Sequence, residues 1–202
     1  MGLVVVGSGG HAKVVIATAR AAGLEVTAIV DDDPACWGQR VLGVEVAGPT
    51  LAVLDDAGQT AVLAIGSNRA RQQLAAAARC RFATVVHPAA VIDATVRLGA
   101  GTVVFAGAVI QPDAALGAHV IVNTGASIDH DCAIGDFVHI APGVRLAGDV
   151  SLGDGVFLGI GAVAVPGVRI GAWTTVGAGA AVVGDLAADL VAAGVPARPL
   201  RR

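Results

Sequence analysis

The chain has 202 residues, of which 55% are hydrophobic and 14% charged, with 28 glycines, 3% aromatics and no tyrosine. That length is ample to bury a core, and so apolar a composition excludes a disordered chain. A net charge of −3, from 13 Lys and Arg against 16 Asp and Glu, offers no basic field to nucleic acid, and the few rings offer no stacking platform.

A membrane-spanning helix needs about 18–20 uninterrupted apolar residues. The longest charge-free runs, such as Leu98 to Pro112, stop short and are broken by glycine. The apolar run from Met1 to Val6 leads straight into a glycine turn, unlike a signal segment. Cys36, Cys80 and Cys132 are an odd number without CxxC spacing, which argues for a reducing compartment and against a disulfide framework or a structural zinc site. The expectation is a soluble, cytoplasmic protein with no membrane and no nucleic-acid partner.

In chain order, Leu3–Val6 reads as a strand ending in Gly7-Ser8-Gly9-Gly10-His11, followed by an Ala-rich helix over about His11 to Ala22. Glu25–Val30 is the second strand, closed by Asp31-Asp32-Asp33-Pro34. Between Gln39 and Asp56 a short strand (Val44–Val46) and a short helix from Pro49 are predicted. Thr60–Ile65 is the third main strand, followed by Gly66-Ser67-Asn68 and a helix from about Arg69 to Cys80. Alternating strands and helices imply a parallel sheet with helices packed on it, here half the size of a full dinucleotide-binding fold.

From Ile92 a period of six takes over. Stepping by six from Ile92 to Val176, fourteen of fifteen positions are Leu, Ile or Val, and the residue four further on is small or β-branched throughout. This is the signature of a left-handed β-helix of hexapeptides. The large aliphatic fills one inward position of a triangular prism and the small residue the other. Gly99, Gly117, Gly135, Gly153 and Gly171 recur every 18 residues, one per coil, read as tight turns that need glycine's conformational freedom. Five coils stacked at about 4.8 Å give a prism roughly 24 Å long. Its bore is too narrow for rings, which accounts for their scarcity. The predicted organisation is an α/β half-Rossmann-like unit over 1–86, the left-handed β-helix over 87–187, and a tail over 188–202 that folds across the last coil. Charge-poor faces suggest that prisms associate side by side, most naturally as a homotrimer.

Within the repeat, Asn123-Thr124-Gly125-Ala126-Ser127-Ile128-Asp129-His130-Asp131-Cys132 stands out, with His139 nine residues beyond His130. Nine is half a coil, so the two histidines occupy different sides of one prism and meet only across a subunit boundary. His130 between two aspartates is the candidate general base. His119, without acidic neighbours, reads as an ordinary surface histidine, and Cys132, at a small inward position, as core filler. Spacings of 11 and 9 between histidines do not match the His-x4-His pair of prism-based zinc enzymes, so no metal is expected. Successive strand residues point to opposite faces, so Asp131 supports His130 only if the chain bends between them. In the first unit, Gly7–Ala12 matches G-x-G-x-x-A between a strand and a helix, a turn suited to an anion. Asp31 and Asp32 end the second strand, where a sugar hydroxyl is held in such folds, and Gly66-Ser67-Asn68 ends the third.

Taken together, Gly7–Val14 (GSGGHAKV), Asp31-Asp32, Ile65–Asn68, Asn123–Cys132, His139 with Ala141-Pro142-Gly143, and Gly194–Ala197 resemble the nucleotide-sugar acetyltransferases of bacterial glycan synthesis over essentially the whole chain. The resemblance implies a trimer that moves an acetyl group from acetyl-CoA to the amino group of a nucleotide-linked sugar of the 4-amino-4,6-dideoxy type. It implies His130 as general base with Asp131 as its acidic companion, and His139 against the acetyl group. It also implies Ile160 and Ala178 along the pantetheine arm, Arg198 near the CoA phosphates, and Gly10, His11, Ala12, Asp31, Asp32, Gly66 and Asn68 around the nucleotide sugar. The alternatives are a sialic acid O-acetyltransferase, a metal-dependent hydratase, and a non-catalytic solenoid scaffold.

Overall fold

A computed structural model describes residues 2–200, which fall into two compact units, one ending at Pro88 and the other beginning at Ala89. In the first, four parallel strands lie in the order Val26–Val30, Leu3–Val6, Thr60–Leu63, Arg81–Phe82. Leu3–Val6 is central and buried on both sides, so it is an unbroken apolar run without alternation. Gly7 ends it with φ +103°, and a Cβ there would also lie 2.9 Å from Ile65 Cγ1. Glycine is required at that position on both counts.

The helix Gly10–Ala21 follows, and its buried residues Ala12, Val15, Ile16 and Ala19 have the i, i+3, i+4, i+7 spacing of one face. The helix Asn68–Ala77 begins at a Ser67 cap and ends before the predicted Cys80. Beyond it the Arg79 and Cys80 N–H groups both donate to the Leu54 carbonyl and draw the chain out of helix. The edge strand Arg81–Phe82 was not foreseen, because a two-residue strand carries no alternation. Val44–Glu45 forms a small antiparallel hairpin with Arg40–Val41.

The second unit is a three-faced parallel β-helix, each two-residue strand pairing with the one 18 residues on. One face stacks Val103–Val104, Ile121–Val122, His139–Ile140, Phe157–Leu158, Thr175–Val176 and Val191–Ala193. That is one rung more than the five coils expected; the face from Val91–Ile92 to Ala181–Val182 also has six, and Val191–Ala193 extends its own ladder although the hexapeptide pattern has lapsed. Arg198–Pro199 then returns antiparallel to it. The step-of-six residues fill the bore, with Ile128, Ile140 and Leu158 fully buried, and the small positions Ala126, Cys132 and Val138 beside them. Cys132 behaves as core: its thiol donates to the Ala147 carbonyl, and burial pushes its pKa up.

The 18-residue glycines have a different cause from the one expected. None of Gly99, Gly117, Gly135, Gly153 or Gly171 has a left-handed backbone. The coils instead approach so closely there that a Cβ on Gly153 would sit 2.6 Å from the Ala172 nitrogen, and one on Gly135 2.7 Å from the Asp154 nitrogen. The left-handed turns fall at the three corners, and each corner has its own chemistry. One carries Gly107, Gly125, Gly143, Gly161 and Gly179. A second carries His119, Phe137 and Trp173 among glycines, with the His119 and Phe137 rings stacked at 5.3 Å. The third carries Asp113, Asp131, Asp149 and Gly167. His119 is therefore a buried structural ring rather than a surface one.

Candidate active site

The aspartate corner is where the chain joins strand Ser127–Ile128 to strand Ala133–Ile134, and His130 and Asp131 form that turn. Asp131 has φ +60°, a conformation that Asp tolerates better than most residues. This is the bend that lets two consecutive side chains face each other. Asp131 Oδ2 lies 2.7 Å from His130 Nδ1. The His130 N–H donates to Asp129 Oδ1, and its carbonyl accepts from the Asp149 N–H on the next coil. The bond to Asp131 raises the His130 pKa above its ordinary value; desolvation opposes the rise, and the charges of Asp129, Asp131 and Asp149 add to it. The carboxylate selects the tautomer with its proton on Nδ1, leaving the Nε2 lone pair open to solvent and substrate.

His139 begins a strand on the face opposite that corner. Alternation turns Ile140 into the bore and His139 outward. Asn123 Nδ2 lies 3.4 Å from His139 Nε2, and the Phe157 ring packs edge-on at 5.1 Å. One chain therefore does not bring His130 and His139 together. Asn123 opens the segment that stands out in the sequence, although no role was read for it, and Phe157, one rung after His139, was not singled out.

Ile160 is 59% exposed on the glycine corner, and Ala178, also exposed, follows it one coil later. The Gly161 N–H donates to Pro142 and the Gly179 N–H to Ile160, leaving a smooth edge without side chains at the glycines. Arg198 lines a cavity of about 380 Å³ with Val183–Ala187, Leu190 and Pro199 at the end of the prism.

In the first unit a crevice of about 370 Å³ opens at the carboxyl edge of the sheet, lined by Gly7–His11, Asp31, Asp32, Thr50, Ala64–Gly66 and Leu74. Gly10, His11, Asp31, Asp32 and Gly66 thus share one wall system. Ala12 and Asn68 do not line it: Ala12 faces the core of the unit, and Asn68 is buried at the start of its helix. Asp31 Oδ2 accepts from the Ser8 N–H and hydroxyl, both at 2.7 Å. Burial opposes its ionisation, but the bonds from Asp33, Ser8 and Asp32 outweigh that and hold its pKa below the usual value. Asp32 holds Thr50 through the N–H and the hydroxyl.

Arg71 was missed by sequence reading. It is 1% exposed, yet its Nη1 donates to the carbonyls of Ile65 and Gly66 at 3.0 and 3.2 Å. It fixes the third loop and puts a buried cation behind the crevice. Burial, and then the Arg71 charge, lower the His11 pKa from 6.5 to about 4, so His11 is neutral at physiological pH. Among the described residues no group of three or more His, Cys, Asp or Glu side chains is arranged to hold a metal ion. No described helix is long and apolar enough to cross a membrane.

An imidazole–carboxylate pair on a hexapeptide prism, in a chain that also carries a glycine-rich α/β unit with a crevice at its sheet edge, fits the class of prism-type acyltransferases. Residues 2–78 match the family model described as the PglD N-terminal domain. The chain is similar to PerB from Caulobacter crescentus, solved in complex with CoA and GDP-perosamine, and to variants of a GDP-perosamine N-acetyltransferase from the same organism. The match to PerB has 48% identity and a TM-score of 0.93, covering 100% of this chain and 98% of that one. It is also similar to the acetyltransferase domain of PglB from Neisseria gonorrhoeae in complex with acetyl coenzyme A, at 40% identity and a TM-score of 0.90, with 98% of each chain covered. WeeI from Acinetobacter baumannii matches at 26% identity and a TM-score of 0.89, over 99% of this chain and 100% of that one. A search of the curated proteins gives no match. The chain belongs to the nucleotide-sugar N-acetyltransferase family.

Proposed function

We propose that this chain transfers the acetyl group of acetyl-CoA to the amino group of a GDP-linked 4-amino-4,6-dideoxy sugar, with His130 as general base. The observation that carries the reading is the 2.7 Å contact between His130 Nδ1 and Asp131 Oδ2. A sugar ammonium has to lose a proton before its nitrogen can attack a thioester. His130 Nε2 takes that proton, and the carboxylates of Asp129, Asp131 and Asp149 favour both the cationic substrate and the imidazolium that forms. The neutral amine attacks the thioester carbonyl carbon, the C–N bond forms, the C–S bond breaks, and the second proton shed by the nitrogen as it becomes an amide leaves to solvent. The departing thiolate then takes the proton from His130. Base catalysis of this kind contributes about 10²–10⁴-fold, and positioning of two large substrates supplies the remainder.

His139, oriented by Asn123 and Phe157, is the contact for the acetyl group. The smooth glycine corner beside Ile160 and Ala178 suits an extended pantetheine arm, and Arg198 suits its phosphates. Gly10, His11, Asp31, Asp32 and Gly66 receive the nucleotide sugar, with the helix N-terminus at Gly10 and the buried Arg71 providing positive potential for a diphosphate. Ala12 and Asn68 support that wall from behind.

Because His130 and His139 occupy opposite sides of one prism, the complete site needs a second chain, which supports the homotrimer. The face bearing Ala115, Ala133 and Ser151 between Arg97 and Arg169 is mostly apolar and built of small residues, suited to packing against another prism. The reaction draws on cytoplasmic pools of acetyl-CoA and nucleotide sugars, and that supports a cytoplasmic location. Solved relatives at 47% identity are perosamine N-acetyltransferases by name, which favours the amino group over a sialic acid hydroxyl. Thermal-shift measurements with GDP-, UDP- and CMP-sugars test the base: selective stabilisation by GDP compounds is expected, and selective stabilisation by UDP or CMP compounds overturns that part. Replacement of His130 by Ala tests the mechanism. Turnover is expected to fall by at least 10²-fold with the oligomer intact, and near-normal turnover refutes the assignment.

A further inference from the structure

The residue one coil beyond His130, at the same place in the corner, is Gly148. The corresponding corner positions on the neighbouring coils are Pro112 and Pro166. Gly148 does not have a left-handed backbone; that conformation falls on Asp149 after it. The backbone would thus accept an ordinary L-residue, and turn geometry does not explain the glycine. Space does. A Cβ built on Gly148 would lie 2.6 Å from His130 Cε1, 2.7 Å from Nε2 and 3.2 Å from Nδ1. The imidazole lies across the volume that any side chain at 148 would fill.

We propose that Gly148 is a positioning residue for the acetyl transfer: by leaving that volume empty it lets the His130 ring lie flat against the next coil with Nδ1 on Asp131 and Nε2 directed at the substrate. This rests on the reading of His130 as the base. Two bonds already pin the His130 main chain, to Asp129 and from Asp149, so its backbone cannot move away to relieve a clash. His130 itself is exposed, so the ring yields instead by rotating about its side-chain bonds towards solvent. That motion separates Nδ1 from Asp131 and misdirects Nε2. The three heavy atoms nearest that Cβ all belong to the exposed His130 ring, so a methyl group there is accommodated by moving the ring rather than the packing of the prism.

The test is Gly148→Ala beside His130→Ala and the double variant. The expected result for Gly148→Ala is a kcat lower by about 10- to 100-fold, as an ångström-scale misplacement gives. KM for both substrates should stay within about twofold and the melting temperature should be unchanged. The His130 ring proton, followed by NMR titration, should report a pKa lowered towards the ordinary histidine value, a readout that does not depend on turnover. In the His130→Ala background, adding Gly148→Ala should cost nothing further. An unchanged kcat and an unchanged His130 titration in Gly148→Ala overturn the proposal. An equal loss in both backgrounds overturns it too, because Gly148 would then act independently of the ring. If His130→Ala retains normal turnover, the base assignment itself fails, an outcome separable from the other two.

Discussion

Lowering the pH should destabilise the N-terminal α/β unit through His11. Its half-buried imidazole has Nε2 shielded from solvent and feels the Arg71 charge, and its pKa falls from 6.5 to about 4. In the unfolded chain it titrates near 6.5, so between those values the unfolded state binds a proton that the folded state refuses. Stability therefore rises with pH through this window and is lost as pH falls from about 6.5 towards 4. At about 1.4 kcal/mol per pH unit, the full difference is about 3 kcal/mol, a large share of a typical domain's 5–15 kcal/mol. Arg71 does not add to the slope, because burial lowers its pKa only to about 10 and it stays charged throughout. The assay is urea unfolding at half-unit steps from pH 7.5 to 4, comparing the protein with His11→Gln. Other groups contribute to both curves, so the difference between the two slopes isolates His11. Equal slopes would refute the burial argument, and a wild-type curve flatter than the variant's would reverse its sign.

Replacing Asp131 with Asn removes the main cause of the raised His130 pKa, so the acid limb of the kcat/KM profile should move to lower pH while the maximal rate drops; a fixed limb contradicts the pairing. Replacing His139 with Ala should raise KM for acetyl-CoA and lower kcat by about 10-fold or more, and Asn123→Ala should reproduce part of that effect; a change confined to the sugar's KM would put His139 in the wrong subsite. Leu158→Ala, in the bore at 1% exposure, should cost about 2–5 kcal/mol by denaturant unfolding, and a cost below 1 kcal/mol would mean that the prism collapses around the cavity.

The prism was legible because nearly every rung repeats the same demand: a large aliphatic residue such as Ile128 or Ile140, then a small one such as Cys132 or Val144. Fourteen matches in fifteen positions leave little room for accident. The reason for Gly135 or Gly153 was not legible, since a close approach between coils and a left-handed turn both call for glycine, and only coordinates separate them. The contact between His130 and Asp131 hinged on one backbone angle. The column Asp113, Asp131, Asp149, Gly167 was the available signal, because residues tolerant of positive φ recur there every 18. Arg71 lay beyond reach for another reason: a lone arginine within a polar helix reads as solvated, and its burial follows from the Ile65 and Gly66 carbonyls it serves. Asn68 shows the converse, a polar residue beside a binding loop whose position turned it inward.

The central claim is acetyl transfer from acetyl-CoA to a nucleotide-linked amino sugar. The most direct measurement is mass spectrometry of the protein incubated with acetyl-CoA and a GDP-linked 4-amino-4,6-dideoxy sugar, with free thiol followed in parallel. One acetyl group gained by the amino sugar for each CoA thiol released is expected, with loss of both signals when Ala replaces His130. No acetylated product, or the acetyl group on a hydroxyl with the amine left free, would contradict it.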